Sequence, residues 1–284
     1  MRVISTARTQ RTVLLRPVDV TTAATGGLAY GERPPRGVGR WIELSRTRVV
    51  VPAGGSVDVP FRVHIPIHPG TGQRFAGIVG IDRAHLAAAR RPPRPRRGRP
   101  IALRFLPRFA VAVEVRLPGA PVRRLEVRRL NVKVTPSGAY LQIRLANTGN
   151  QLIPSSSGSA TLSQGGEELT TDAVDLSQFV PGTEIAYLVR FPGRPARDTY
   201  DVRGSLRPER APPVSLNGQV TFGEGNARQF KRQTGREARG GDGTPTWAIA
   251  ALIFAIAMAV TFAVAYLRAR RGPGGASRAS GPRG

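Results

Sequence analysis

The stretch RVVVPAGGSVDVPFRVHIP, residues 48–66, decides the predicted fold of this chain. Apolar residues alternate with polar or small ones from Val57 to Ile65, which is the period of a β-strand with one buried face. Pro60 indicates that this strand lies at a sheet edge or carries a bulge, because proline cannot donate a hydrogen bond to a ladder. The stretch therefore predicts two strands joined by a turn, the second of them irregular.

The same pattern continues on both sides of this stretch. RTVLLRPVDV (11–20), PGTGQRFAGIVGID (69–82) and IALRFLPRFAVAVEVRLPG (101–119) each predict a strand, and Gly77 and Gly80 indicate a close approach of the backbone or a bend. A second series of short strands begins near Ala120, with turn signals about every 8–12 residues. These patterns predict an all-β chain of two immunoglobulin-like β-sandwich domains, over residues 1–119 and 120–225.

A long apolar run near the C-terminus predicts a membrane anchor. Residues 226–246 are polar and Gly-rich and are typical of a flexible juxtamembrane linker. The 21 residues from Trp247 to Leu267 carry no charge, and as a helix they would span about 31 Å, against a hydrocarbon core of about 30 Å. We therefore expect a single transmembrane helix at 247–267 and a basic cytoplasmic tail at 268–284. The expected interface anchors are Trp247, Tyr266, Arg268, Arg270 and Arg271.

The arginines of the tail favour a cytoplasmic C-terminus, which would place the bulk of the chain outside a single-pass cell-membrane protein. The N-terminal stretch MRVISTARTQRTVLLRP has no apolar run as long as a signal peptide needs. Two alternatives remain open. Either export uses a signal encoded upstream of this start, or the chain is tail-anchored with its domains inside.

The net charge of +25 is almost wholly arginine and is concentrated in the first third of the chain. Residues 1–119 contain 21 arginines and 6 acidic residues, a net charge of +15. The densest run is ARRPPRPRRGRP, residues 89–100, which predicts an extended basic loop because proline and like-charge repulsion both oppose compaction. Arginine pairs with phosphate and carboxylate in bidentate fashion. The candidate contacts for an anionic polymer are Arg90, Arg91, Arg94, Arg96, Arg97 and Arg99.

The sequence lacks the residue patterns of catalysis and metal binding. It contains no cysteine, no Gly-x-Ser-x-Gly elbow and no phosphate loop. His64 and His68 lie four apart, but prolines at 66 and 69 exclude the helix that would place both side chains on one face. We expect a chain that is not an enzyme and needs no cofactor or metal.

One family resemblance supports the sandwich assignment. The stretch VGRWIELSRTRVVVPAGGSVDVPFRVHIPIHPGTGQRFAGIVGID (38–82) resembles the peptidoglycan-binding domain of WxL-interacting proteins, which are surface proteins of Gram-positive bacteria, here of the actinobacterial type. Three features bear the resemblance: WIEL, VVVPAGGSVDVPFRV and PG…FAGIVG. It covers about Arg11–Gly119, and Val122–Gly223 more loosely. It implies an exported sandwich, a C-terminal membrane anchor and association with the cell wall, although the signal peptide and an earlier first strand that such a domain has are missing.

Together these observations predict a non-catalytic, membrane-anchored surface protein that binds or scaffolds at the cell wall. The expected partners are peptidoglycan or an anionic wall polymer, the lipid bilayer through one helix, and other surface proteins. One alternative is a membrane-tethered assembly factor or chaperone for other surface proteins. A second alternative is a nucleic-acid-binding protein that uses the arginine-rich loop. The absence of aromatic residues among those arginines disfavours it.

Overall fold

The protein is described by a computed structural model over residues 1–90 and 106–239, and these residues are mostly β-structure. The strands of the first half are β1 (Arg2–Ile4), β2 (Arg11–Thr22), β3 (Leu28–Tyr30), β4 (Ile42–Leu44), β5 (Arg48–Val51), β6 (Ser56–Asp58), β7 (Phe61–Val63), β8 (Gly72–Asp82) and β9 (Arg108–Leu117). Those of the second half are β10 (Leu125–Thr135), β11 (Gly138–Asn147), β12 (Ser156–Gln164), β13 (Glu167–Leu176), β14 (Glu184–Arg190), β15 (Thr199–Pro208) and β16 (Val214–Thr221). The helices are α1 (Arg83–Arg90) and α2 (Glu224–Thr234), and Val38–Trp41 form one turn of 3₁₀ helix.

The first half is built on one five-stranded antiparallel sheet. Its strand order is β3-β2-β8-β9, with β5 also paired to β2. The short pairs β1–β6 and β4–β7 face this sheet across an apolar core that includes Leu15, Val51 and Ile78. A second, smaller cluster around Val79 covers the opposite face of β8. Because β8 is covered on both faces, it is buried almost continuously rather than at alternate positions.

The stretch 48–66 forms three short strands instead of two longer ones. The alternation from Val57 to Ile65 predicted a single irregular strand, but the ladder is interrupted between Asp58 and Phe61. Pro60 lies in this interruption, where its missing N–H costs no ladder bond. As a result, β6 pairs with β1 whereas β7 pairs with β4.

The second half is a sandwich of a three-stranded sheet (β10-β11-β14) and a four-stranded sheet (β13-β12-β15-β16). Residues 136–138, Pro-Ser-Gly, include the tight turn that joins β10 to β11. Alternate residues of β11 are buried, and Leu141, Ile143 and Leu145 are fully enclosed between the two sheets. The strand β13 was missed because its sequence, EELTTDAVDL, has as many acidic as apolar residues and no regular alternation of apolar positions. It forms as the partner of β12 across a tight turn at Gly165 and Gly166, which both adopt positive φ.

The two halves meet in a joint that has apolar and polar contacts. Val20 and Phe75 of the first half pack against Val180 of the second. Beside them, the buried hydroxyl of Thr22 accepts a hydrogen bond from the backbone N–H of Val180 at 2.9 Å and lies 2.6 Å from the hydroxyl of Thr183. The described residues form one compact unit, and the division into domains at residue 119 stays a prediction.

The element Asn-Thr-Gly-Asn, residues 147–150, supplies further contacts at this joint. The Oδ1 of Asn147 accepts from the N–H of Gly149, which is the local hydrogen bond expected for such a turn. Gly149 itself does not adopt a positive φ. Glycine is required there because a Cβ would overlap the carbonyl oxygen of Val122. The side chain of Asn150 bonds to Thr71 across the joint at 3.0 Å.

Helix α2 occupies part of the segment that was predicted to be a flexible linker. Its Phe230 is buried in the core of the second half and contacts Phe222 at 6.2 Å between ring centroids. The helix ends at Gly235, which adopts the left-handed conformation and donates its N–H to Lys231 at 2.9 Å. One apolar anchor in a polar sequence was too weak a periodic signal to predict this helix.

The prediction of a single-pass cell-membrane protein is wrong on this structure. Within residues 1–90 and 106–239, no helix is long and apolar enough to cross a membrane. Helix α1 has eight residues and α2 has eleven, against about 20 that a span requires. The segment 247–267, on which the prediction depended, lies outside the described residues, as do the proposed anchors Trp247, Tyr266, Arg268, Arg270 and Arg271.

Candidate functional site

The last strand of the first half, β9, lies at the edge of the five-stranded sheet. It pairs antiparallel with β8 over its whole length, from Arg108 opposite Ile81 to Leu117 opposite Gly72. Among the residues that the structure describes, no other strand pairs with it. The N–H and C=O groups on its outer side are therefore available to another strand.

The side chains of β9 make this edge unusually apolar. One face carries Phe109, Val111, Val113, Val115 and Leu117, since alternate residues of a strand point the same way. Val113 packs against the core of the first half. Phe109 and Val111, nearer the beginning of the strand, remain 41% and 46% exposed. The other face of this exposed half carries only the small side chains Ala110 and Ala112 between Arg108 and Glu114.

Two glycines of β8 let aromatic rings lie across the sheet. A Cβ at Gly80 would overlap the ring of Phe109, and one at Gly77 would overlap that of Tyr30. The close approach predicted from these glycines is thus confirmed, and a side chain takes part in both cases. The ring of Phe109 lies back over β8, so the outer edge of β9 keeps its backbone groups uncovered by that ring.

Charged residues flank the exposed half of β9. Arg108 pairs with Glu32 at 3.1 Å, and Glu114 pairs with Arg116 at 2.7 Å and accepts from Gln73 at 2.8 Å. The hydrogen bond from Arg116, together with that from Gln73, outweighs burial and lowers the pKa of Glu114. Glu114 is therefore ionised at neutral pH, and the exposed half of β9 lies between the cation Arg108 and the anion Glu114.

An apolar cavity of about 310 Å³ lies beside the beginning of β9. Its walls come from β2, β8, α1 and the residues around the start of β9. They are Leu14, Leu15, Arg16, Ile81, Leu86, Leu106 and Arg108. Among the described residues, the walls contain no acid, histidine or hydroxyl group for acid–base or nucleophilic chemistry.

Of the predicted contacts for an anionic polymer, only one lies within the described residues, so this site stays a prediction. Arg90 is the last residue of α1, which replaces the first part of the predicted loop. Alanine and leucine favour this helix, and the side chain of Asp82 caps it by accepting from the N–H of Ala84 at 2.8 Å. The remaining candidates, Arg91, Arg94, Arg96, Arg97 and Arg99, lie outside the described residues.

The histidines form no metal site in the described part of the chain, where no group of three possible ligands is found. His64 contacts Glu43, with 2.5 Å between Nε2 and Oε2, and both side chains are exposed.

The edge strand β9 is the feature that sequence reasoning did not identify as a site. Its signal was present in FAVAVEVRL, where valines alternate with alanines and one glutamate. The sequence could show that one face is apolar. It could not show that this strand ends the sheet, because strand order depends on pairings between segments far apart in the chain.

No family model and no curated protein matches the chain. Among solved structures, it is similar to a chain of the CsuC–CsuE chaperone–tip adhesion subunit pre-assembly complex of Acinetobacter baumannii, with 12% identity and a TM-score of 0.37 over 78% of this chain and 89% of that one. It is also similar to the CupB2 chaperone of Pseudomonas aeruginosa (10%, TM-score 0.34, 77% and 90%) and the DraB chaperone of E. coli (12%, TM-score 0.34, 78% and 86%).

These findings overturn the resemblance to WxL-interacting proteins. No family model matches the chain, and that includes any model of this family. The stretches that suggested the family, such as VVVPAGGSVDVPFRV, indicate only the positions of strands and turns. Many β-sandwich proteins share such patterns. The prediction of peptidoglycan binding at a Gram-positive wall came from that resemblance and is wrong with it.

Proposed function

We propose that this chain is a non-catalytic protein-binding factor that takes up an extended segment of another protein along β9. The observation behind the proposal is the free edge of β9 with its exposed apolar residues Phe109 and Val111. This is the assembly-factor or chaperone alternative that the sequence left open. It requires no membrane anchor and no wall polymer.

Strand addition fits this edge physically. An added strand would satisfy the unpaired N–H and C=O groups of β9, and these main-chain bonds would supply affinity without regard to sequence. Specificity would come from alternate side chains of the partner, which would lie beside Phe109, Val111 and Val113. The partner segment is therefore expected to be extended, with apolar residues at every second position.

Long, flat, apolar edges are normally blunted in proteins that do not bind other chains. Here charged residues lie only at the two ends of the exposed half, at Arg108 and Glu114, and no proline interrupts the strand. A bare edge of this kind carries a risk of aggregation, and its retention is readily explained if a partner covers it.

We also propose that the two halves of the described chain are immunoglobulin-like sandwiches with a boundary near residue 119, and that the partners are other surface proteins. Among the similar structures are chaperones in complex with adhesin subunits. Their TM-scores of 0.37 give that likeness no weight, so the proposal rests on β9 alone.

Site-specific photo-crosslinking in living cells tests the proposal. A photoreactive amino acid replaces Val111 in one variant and Leu188 in a control. Leu188 is a suitable match because it is an apolar residue of edge strand β14 with a similar exposure, 42%. We expect discrete adducts with a different protein from position 111 and not from 188, identified by mass spectrometry, and adducts between two copies of this chain do not count. Equal adducts at both positions, or none at 111 with the fold intact by circular dichroism, would contradict the proposal.

A further inference from the structure

We infer that β9 also pairs with β9 of a second copy of this chain, in an antiparallel register centred on Val111. This inference goes beyond the proposed function, because the occupant of the edge is the chain itself. It depends on the free edge and on the order of residues along β9, both of which can be stated without reference to any other protein.

A two-fold pairing of identical edge strands brings together equivalent faces of the two sheets. Each residue then lies opposite a residue of the other copy whose side chain points to the same face of the sheet. For every such opposite pair, the two residue numbers add up to the same value. When Val111 lies opposite itself, Phe109 faces Val113 of the second copy, and Ala110 faces Ala112. The exposed apolar residues are thus covered by apolar residues, and small residues meet small residues on the other face.

The charges of β9 agree with the same register. Arg108 lies opposite Glu114 of the second copy, and by symmetry this pair occurs twice. A shift of the centre to Ala112 would place Arg108 opposite Arg116 at both ends. A shift to Ala110 would remove the opposite-charge pairs. Cross-strand pairs of opposite charge stabilise a sheet and like charges destabilise it, so the sequence of β9 selects the register centred on Val111.

Self-pairing would serve the free protein directly. It covers the apolar edge when no partner is bound. The second copy and a partner segment cannot bind at the same time, because both would use the same N–H and C=O groups of β9. A partner segment would therefore have to displace the second copy. The concentration of the chain would set how much of it is open to binding.

A single cysteine tests the register. The chain has no cysteine, so V111C carries the only thiol. In the proposed pair the two Cα atoms at position 111 lie about 4.5–5.5 Å apart, within the range for a disulfide. In V115C, the control on the same face, the two thiols would lie about 27 Å apart. We expect the full-length V111C chain to form a covalent dimer under mild oxidation and V115C not to. Equal crosslinking of the two, or none at position 111, would overturn the register.

Charge reversal gives a second, independent test by analytical ultracentrifugation of the full-length chain. R108E and E114R should each raise the dissociation constant of the dimer about tenfold or more, and the double variant should restore it to within about threefold. Within one copy, the double variant loses both the Arg108–Glu32 and the Glu114–Arg116 attractions, so a restored dimer can only come from pairing between copies. E167R, which makes the same charge change on edge strand β13, is the control and should have no effect.

The outcomes separate this inference from the proposed function. If the double variant fails to restore the dimer, or E167R weakens it equally, self-pairing is wrong, whatever partner is crosslinked at position 111. If the dimer behaves as expected and no partner adduct forms at position 111, the proposed function fails and self-pairing stands.

Discussion

Asp19 holds the loop that follows β3 to the sheet through a single carboxylate. It accepts hydrogen bonds from the backbone N–H groups of Arg36, Gly37 and Gly39, at 2.7, 3.0 and 2.8 Å. Burial alone would raise the pKa of Asp19, but these three donors outweigh it and the pKa lies below its usual range. The loop 32–39 contains two prolines and two glycines and has little structure of its own, so this side chain determines where it lies.

We expect D19N to lower the free energy of unfolding by about 1–2 kcal/mol at pH 7, because the donors lose their charged acceptor. The partial exposure of the carboxylate keeps the value near the lower end of that range. The lowered pKa in the folded state stabilises the wild type above the unfolded pKa of about 4, and this stabilisation is lost as the pH falls through the folded pKa. Urea unfolding between pH 2.5 and 7 should therefore show the gap between wild type and D19N closing only at acidic pH.

The matched control is D175N, an exposed aspartate on β13. It should leave unfolding within about 0.5 kcal/mol of the wild type. A gap between wild type and D19N that is the same at pH 2.5 and pH 7 would show that Asp19 does not act through its charge.

Most strands could be predicted from alternation, whereas their arrangement could not. β2, β10, β11 and β15 follow apolar periodicity closely enough to be found by eye. β13 and α2 have weak patterns of their own and form because a neighbour is already in place: β12 in one case, and the core around Phe222 in the other. The same limit hid the candidate site, since β9 is an ordinary apolar strand in sequence and becomes a binding edge only by its position in the sheet.

The dependence of α2 on one contact leads to a prediction. Phe230 is its only fully buried side chain, and the remaining surface of the helix is largely charged or polar. F230A should cost about 3 kcal/mol of folding stability and release the helix from the sandwich, since an eleven-residue helix is marginal by itself. Limited proteolysis should then cleave within 224–239 at least about tenfold faster than in the wild type. R228A, on the exposed face of the same helix, should change neither quantity.

If F230A is destabilised but α2 remains protected from cleavage, contacts other than Phe230 hold the helix in place. Its C-terminal side has one such candidate, because the backbone of Arg239 bonds to Pro195 and Arg197.

The joint between the halves decides whether the described chain behaves as one body. Thr22 belongs to β2 in the first half, yet both of its side-chain hydrogen bonds, to Val180 and Thr183, reach into the second. Local unfolding of one half should therefore promote local unfolding of the other. If Thr22 moves away, the buried N–H of Val180 in the second half loses its hydrogen-bond acceptor. The angle between the halves, and with it the position of the β9 edge relative to the second sandwich, is then fixed by a few buried groups.

T22V tests this coupling because valine keeps the shape of threonine and removes the acceptor for the N–H of Val180. It should cost about 1–3 kcal/mol. It should also speed hydrogen exchange in residues 176–185, although the substitution lies in the other half. T12V, the same change on the same strand away from the joint, should leave exchange in that segment unchanged. The expected signal appears about 160 residues from the substitution. Equal exchange in T22V and T12V would therefore mean that the two halves open independently. In that case, binding at β9 would not change the second sandwich through this contact.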